Sequence, residues 1–271
     1  MSGTPGRLVV CPTPIGNLED VTLRVIGALR EADVVACEDT RHTRTLLDRY
    51  GVSARTVSYH EHNERERSAE LVERMRAGET VALVSDAGMP LVSDPGFVLV
   101  QACIAAGIGV EVLPGPSAAL AALVVSGLPA ATWRFAGFLP RKKGELAEVF
   151  GANAETLVAF ESPRRLAASL KVLAGVDPSR PVVVARELTK LHEEVVRGTA
   201  ADLAARYADD EPRGEIVVVV GPAPEGEPEA AAAVEALRRL VDAGAKARPA
   251  AAVVSELTGV PANELYRGLT E

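Results

Sequence analysis

Val84-Ser-Asp-Ala-Gly-Met-Pro-Leu-Val-Ser-Asp-Pro-Gly96 follows an apolar run, Val81–Val84, and precedes a small-residue segment that reads as a helix from about Pro95 to Ala106. The order is strand, long loop, helix start. Gly88, Pro90, Pro95 and Gly96 shape the loop, because glycine permits positive φ and close backbone approach while proline pre-sets φ. Ser85, Asp86, Ser93 and Asp94 bring side-chain oxygens to that exposed backbone, and Asp94 or Ser93 is placed to cap the helix. A stiff, polar loop at the carboxyl end of a buried strand is where open α/β sheets bind ligands.

The chain repeats this arrangement on both sides. Arg7–Thr13 reads as a buried strand running into Pro12-Thr-Pro-Ile-Gly-Asn-Leu-Glu-Asp20, after which Thr22 or Asp20 caps a helix with Leu23, Ile26 and Leu29 on one face. Val34–Cys37 ends in Glu38-Asp-Thr-Arg-His42, Thr56–Tyr59 in His60-Glu-His-Asn63, and Gly109–Leu113 in Pro114-Gly-Pro-Ser-Ala118. Five short strands alternating with helices predict a parallel, doubly wound sheet with its ligand loops on one edge. None of the loops spells G-x-G-x-x-G or G-x-x-x-x-G-K-[ST], which disfavours dinucleotide and P-loop readings.

Ser126-Gly-Leu-Pro129 reads as a hinge, and beyond it the pattern changes. Strands are expected at Trp133–Phe138, Glu155–Phe160, Pro181–Glu187, Leu191–Val196 and Glu215–Val220, and helices near Gly144–Ala152, Pro163–Ala174 and Thr199–Tyr207. Consecutive strands around Thr189-Lys190 leave no room for a helix, so this half is α+β with at least one antiparallel pair. Pro222–Glu229 is a Pro/Gly/Glu linker, followed by helices at Ala230–Ala243, Pro249–Leu257 and Glu264–Leu269. The expected organisation is an α/β domain over 1–126, an α+β domain over 127–222, and a linker with a helical tail over 223–271.

The 271-residue chain is 48% hydrophobic but only 4% aromatic, so its cores are mostly Val, Leu and Ala. No apolar run approaches the roughly 18 residues of a membrane span, and the N-terminal Met-Ser-Gly-Thr-Pro-Gly-Arg7 lacks a secretory layout. Cys11, Cys37 and Cys103 read as buried thiols of a reducing compartment, and a cytoplasmic location is expected. His60-x-His62 reads as a polar strand end, and no metal is expected. The net charge of −8 argues mildly against nucleic acid. However, Thr199–Ala230 concentrates eight acids against two bases, whereas Arg134–Arg197 carries eleven bases against eight acids. A local basic face is therefore possible on an acidic protein.

Taken together, Thr13-Pro-Ile-Gly-Asn-Leu-Glu-Asp20, Cys37-Glu-Asp-Thr-Arg41, Ser85–Gly96, Pro114–Ala118, Glu161-Ser-Pro-Arg-Arg165 and Arg186-Glu-Leu-Thr-Lys-Leu-His-Glu-Glu194 resemble the cytidine 2′-O-methyltransferases of small-subunit ribosomal RNA, a family of the tetrapyrrole methylase superfamily. The match runs from about Leu8 to Gly221, and the tail has a family-like Asn263-Glu-Leu-Tyr266. Met89 departs from the pattern, where threonine is expected. The resemblance implies a two-domain tetrapyrrole methylase fold with S-adenosylmethionine in the cleft between the domains. It also implies a homodimer, and a substrate cytidine in the decoding region of 16S ribosomal RNA, within the small subunit.

The implied reaction is an in-line displacement, in which positioning supplies much of the rate. A sulfonium methyl is electron-poor and suits carbonyl oxygens, which glycine- and proline-shaped loops expose. Pro14, Gly16, Asp86, Ala87, Gly88, Pro114, Ser117 and Ala118 are therefore the expected cofactor-binding residues. A ribose hydroxyl needs a base, or a cation that stabilises the developing oxyanion. The candidates are Glu38, Asp39, Arg41, Glu161, Arg164, Glu187 and Lys190, with Glu38, Glu161 and Lys190 favoured as catalytic. Arg41, Arg141, Lys142, Lys143, Arg164 and Arg165 are expected to contact RNA phosphates. Competing readings are a tetrapyrrole or small-molecule methylase of the same superfamily and a non-catalytic ribosome-binding protein on this fold.

Overall fold

The computed structural model describes residues 6–151, 154–209, 211–223 and 227–270. Strands β1 (Arg7–Cys11), β2 (Val34–Cys37), β3 (Thr56–Ser58), β4 (Thr80–Val84) and β5 (Gly109–Val112) form one sheet in the order β3-β2-β4-β1-β5. Every pairing in it is parallel. Alternate side chains point to opposite faces, as strand geometry requires. Val9, Cys11, Val35, Cys37, Ala82 and Val84 pack against helices α1 (Leu23–Glu31) and α2 (Thr40–Arg49). Leu8, Val10, Val34, Ala36, Val81 and Leu83 pack against α3 (Glu64–Arg76) and α4 (Phe97–Ala105). Both faces of the sheet are thus covered at its centre, which is why β1, β2 and β4 read as nearly unbroken apolar runs.

Helix α5 (Ala118–Ser126) leaves the first sheet and packs beneath a second one. That sheet holds β6 (Trp133–Phe138), β7 (Thr156–Glu161), β8 (Pro181–Arg186), β9 (Glu194–Thr199) and β10 (Ile216–Val220), in the order β6-β7-β10-β8-β9. Only β6 and β7 run parallel; the other pairings are antiparallel. Ala119, Ala122 and Leu123 of α5 meet Val158, Val183, Val217 and Val219 on one face. Helices α6 (Lys143–Gly151), α7 (Pro163–Val176) and α8 (Ala200–Arg206) cover the other through Leu146, Phe150, Leu166, Leu170 and Leu203. The chain through Pro222 is one compact unit. A second unit from Ala223 onward contains α9 (Glu227–Asp242), α10 (Ala247–Thr258) and α11 (Ala262–Thr270), which share a small core of Leu237, Val254, Val260 and Leu265.

Several local expectations need correcting. Thr22 caps α1, accepting from the Val25 N–H. Neither Asp94 nor Ser93 caps α4, whose N-cap is Gly96 at φ 138° with no side-chain bond. Strand β9 begins at Glu194, not Leu191, because the chain spends Glu187–Glu193 on an irregular connector with Glu187 and Thr189 at φ 51° and 67°. Leu191, which suggested a strand, projects into solvent. Helix α9 starts at Glu227, ahead of the expected Ala230. The expected helix end at Ala152, the middle of the expected linker at 224–226, the acid at Asp210 and the N-terminal 1–5 lie outside the described residues. No helix among the described residues is long and apolar enough to cross a membrane.

Candidate functional site

The loops after β1 and β4 are tied together first. Thr13 and Gly88 exchange two backbone hydrogen bonds of 2.8 and 3.0 Å. The Thr13 hydroxyl donates to the Ser85 carbonyl at 3.0 Å, and the Ser85 hydroxyl to the Gly88 carbonyl at 3.0 Å. Ser85 and Thr13 are buried, so these bonds satisfy groups that would otherwise be costly to desolvate. Gly88 sits at φ 83°, a region that favours glycine. Leu91 and Ser93 are also left-handed, at 72° and 67°, so the loop carries the backbone strain often found at functional sites.

Beside this junction is a cavity of about 360 Å³ between the two sheets. The first sheet's edge lines it with Ile15, with Ala87–Met89 and Val92–Asp94, and with Ser117 and Ala118. The second sheet supplies Phe138 at the end of β6, Phe160 and Glu161 at the end of β7, Ser162 and Pro163 at the start of α7, and Gly214–Val217 around the start of β10. Phe160 meets Phe138 and Phe135 edge-on, at ring-centroid distances of 5.5 and 5.1 Å. A smaller recess of about 150 Å³ lies on the same sheet edge, lined by Thr13, Pro14, Leu18, Ser85 and Asp86 and by His42, Thr43, Thr45 and Leu46 of α2.

The expected cofactor residues are therefore divided. Ala87, Gly88, Ser117 and Ala118 line the larger cavity, whereas Pro14 and Asp86 line the smaller recess. Pro114 lines neither. Gly16 abuts the connector between β8 and β9: a Cβ there would lie 2.4 Å from Lys190 Cγ. Phe138, Phe160, Ile216 and Val217 carry no motif and escape a reading by loops. Asp94 lies inside the decisive stretch, but as a presumed cap.

The larger cavity is electrostatically acidic at one end. Burial, together with the charges of Glu38 and Asp86, pushes the Asp94 carboxyl up to about 7. Burial and Asp86 raise Glu38 as well. Asp86 accepts the Asp39 N–H at 3.1 Å. Asp39 itself faces water, and its bonds to Arg41 hold it down to about 2.

The other candidates are committed to contacts. Glu161 is buried, and its carboxylate accepts from the Ser162 N–H at 2.7 Å and from the Ser169 hydroxyl at 2.5 Å. Arg165 stands 3.4 Å from it and also donates to the Leu139 and Pro140 carbonyls. Lys190 bridges Glu187 at 2.9 Å and Glu215 at 3.1 Å. Burial would raise Glu187 and lower Lys190, but their mutual bond, the bonds each makes to Glu215 and the surrounding opposite charges together outweigh it, so Glu187 lies below and Lys190 above the ordinary range. Gly214 stands beside this pair at φ 94°, a region that favours glycine, and a Cβ there would crowd the Glu187 carboxylate at 2.4 Å. Arg41 and Arg164 are almost fully exposed, and Lys142 is exposed and paired with Glu145 at 2.8 Å. Arg141 and Lys143 are exposed beside it. Burial raises all three thiols, Cys11 to about 12 and Cys103 to about 11, which leaves them unreactive. Among the described residues no group of three or more His, Cys, Asp or Glu is arranged around a common metal position.

Residues 7–204 match the family model of the tetrapyrrole (corrin/porphyrin) methylases. A ribosomal RNA small subunit methyltransferase I from Mesorhizobium japonicum is 49% identical over 97% of this chain and 91% of its own. Another of that name from Escherichia coli O157:H7 is 43% identical over 97% of this chain and 94% of its own. Among solved structures, a uroporphyrin-III C-methyl transferase from Thermus thermophilus, complexed with S-adenyl homocysteine, superposes with a TM-score of 0.57 at 23% identity, over 80% of this chain and 97% of that one.

Proposed function

The chain belongs to the tetrapyrrole methylase family, and from that premise we propose that it transfers a methyl group from S-adenosylmethionine to small-subunit ribosomal RNA, at the ribose 2′-oxygen of a cytidine in the decoding region. The observation that carries this reading is near-full-length similarity to relatives named for that RNA, joined to a cavity built from the family's loops. The acting form is proposed to be a cytoplasmic homodimer, working on 16S RNA within the small subunit.

The residues present fit the cofactor. About 360 Å³ falls within the roughly 300–1,000 Å³ of small-molecule sites, and the lining is mainly apolar with a few polar groups. Phe138, Phe160, Ile216 and Val217 suit a flat heterocycle, and Asp94 suits a cation. The cofactor supplies an electron-poor methyl on a sulfonium. Ala87, Gly88, Ser117 and Ala118 would hold it, and the Thr13–Gly88 bridge keeps their backbone fixed.

Asp94 moves the proton. A cation facing it favours its ionised form, lowering its proton affinity from near neutrality. Held ionised in this way, the same carboxylate would take the proton lost by the ribose hydroxyl. Glu38 keeps Asp94 basic by its charge. In this reading Glu161 and Lys190 position: Glu161 fixes the start of α7, and Lys190 locks the β8–β9 connector against Gly16. Exposed Arg41, Arg141, Lys142, Lys143 and Arg164 remain for phosphates, while Arg165 spends its donors inside the protein.

Labelled S-adenosylmethionine offered with small subunits, protein-free 16S RNA and a uroporphyrinogen-type tetrapyrrole tests the proposal. Label is expected in RNA, at a cytidine 2′-oxygen; label in the tetrapyrrole alone overturns the substrate. Gly88→Leu should weaken cofactor binding by at least tenfold, on the order of one lost packing position. At φ 83° any side chain also costs roughly 1–2 kcal/mol of backbone strain. Gly88→Ala carries the strain without the bulk, so equal cofactor affinity in the two variants would remove Gly88 from the pocket.

A further inference from the structure

The cofactor reading leaves the smaller recess unused. It lies on the far side of the Thr13–Gly88 bridge, where α2 passes over the loops after β1 and β4. We propose that it receives the base of one unstacked pyrimidine nucleotide of the RNA, and prefers a base bearing an exocyclic amine. This rests on the RNA methyltransferase reading above.

Size comes first. About 150 Å³ is the volume of a cavity that takes one six-membered ring, and a purine is larger. The lining is two-sided in character. Pro14, Leu18 and Leu46 offer apolar surface to the ring faces. Thr43 is 3% exposed, and the one polar side chain beside its hydroxyl is the Cys37 thiol, a weak partner. The neighbouring Cys37 thiol donates elsewhere, to the Val57 carbonyl at 3.6 Å. A buried hydroxyl held only by a thiol is weakly satisfied, and a base edge, able to donate or accept, would be the stronger partner. Asp86 uses one carboxylate oxygen on the Asp39 N–H. A carboxylate is the acceptor that suits the cytosine N4 amine, and it repels the O4 carbonyl of uracil.

Position links this recess to the chemistry. Thr13 and Pro14 line it while Ile15 lines the larger cavity; Ser85 and Asp86 line it while Ala87 and Gly88 line the larger one. The two spaces share one wall, a pair of loops locked in register. The ribose carbon that bears the 2′-oxygen is bonded to the carbon that bears the base. A base seated in the recess would therefore hold its ribose against these loops, close to the residues that would hold the cofactor. Extruding the nucleotide is how enzymes reach a stacked target, and single-stranded RNA is read by its exposed base edges.

Three variants test this. Thr45→Trp, at an exposed position of α2, covers the recess; Thr43→Val replaces the hydroxyl by a methyl of similar size; Asp86→Asn changes the edge recognised. Each is measured for S-adenosylhomocysteine affinity, for kcat and KM with 16S RNA, and for methyl transfer to RNA carrying cytidine or uridine at the modified position. Thr45→Trp and Thr43→Val are expected to lower kcat/KM for RNA by roughly tenfold or more with unchanged cofactor affinity. Asp86→Asn should relax the preference for cytidine. Wild-type RNA kinetics in both Thr45→Trp and Thr43→Val overturn the proposal. Should the wild-type protein methylate no RNA, the function reading falls, and the recess is judged separately by methyl NMR of Thr43 and Thr45. Shifts with cytidine monophosphate, larger than with uridine monophosphate, then support a pyrimidine site, and shifts with neither overturn it.

Discussion

Asp94→Asn is expected to lower methyl transfer to RNA by roughly 100- to 10,000-fold, the usual contribution of a positioned acid or base. The change is isosteric, so folding should survive it. The pH profile separates a chemical role from a structural one. In the cofactor-free protein the Asp94 carboxyl sits at about 7, so kcat/KM for the cofactor should rise with pH through that value and level off above it. In the complex a cation faces the carboxylate, and the acid limb of kcat should move to lower pH. Asp94→Asn should abolish the limb in kcat/KM. Cofactor binding near neutral pH should also release protons, seen as a binding heat that depends on the buffer, and the variant should release fewer. Stability follows the same linkage. The folded-state value lies above the ordinary 3.8, so the folded chain holds the extra proton between those values. The stabilisation this group contributes is complete below pH ~4 and is lost as pH rises through about 7. Wild-type turnover with an unaltered profile would rule Asp94 out.

Glu161→Ala is expected to act on the fold more than on the chemistry. It strips the acceptor from the Ser169 hydroxyl and the Ser162 N–H and leaves Arg165 without its carboxylate. Buried groups left without partners, and broken buried ion pairs, cost about 3 kcal/mol together. In a chain of this size that lowers the melting temperature by roughly 10 °C. Glu161→Gln keeps the shape and part of the hydrogen bonding, and should recover much of the loss. If Glu161 is a positioning residue, the glutamine variant retains the wild-type pH dependence of kcat at temperatures where it is folded. Loss of turnover without loss of stability would restore Glu161 as the base.

The first sheet is legible because its central strands β1, β2 and β4 are buried apolar runs and the helices beside them carry a cap or a turn signal within a few residues, as at Thr22. The second sheet is legible in strand content but not in detail. Leu191 suggests strand by its apolarity, yet the chain bends there so that Lys190 can meet Glu187 and Glu215. Gly16 and Gly214 look like ordinary loop glycines. Lys190 and Glu187 approach them from elsewhere in the chain, to within 2.4 Å of where a Cβ would stand. Glu161 and Arg165 are four residues apart at a helix start, a visible spacing, but nothing local says that Glu161 is buried and already bonded.

The sequence by itself determined the alternation of strands and helices, the sheet edge that carries the loops, and the motifs that mark the family. Each depends on residues near one another in the chain, where periodicity, glycine and proline act directly. Tertiary structure alone decided which loop residues face the larger cavity and which the smaller recess, since neighbours such as Asp86 and Ala87 fall on opposite sides of one wall. It also decided that Asp94, read as a helix cap, is a carboxyl that titrates near neutrality. That property arises from burial and from the charges of Glu38 and Asp86, and desolvation and charge act through space between groups that only the folded chain brings together.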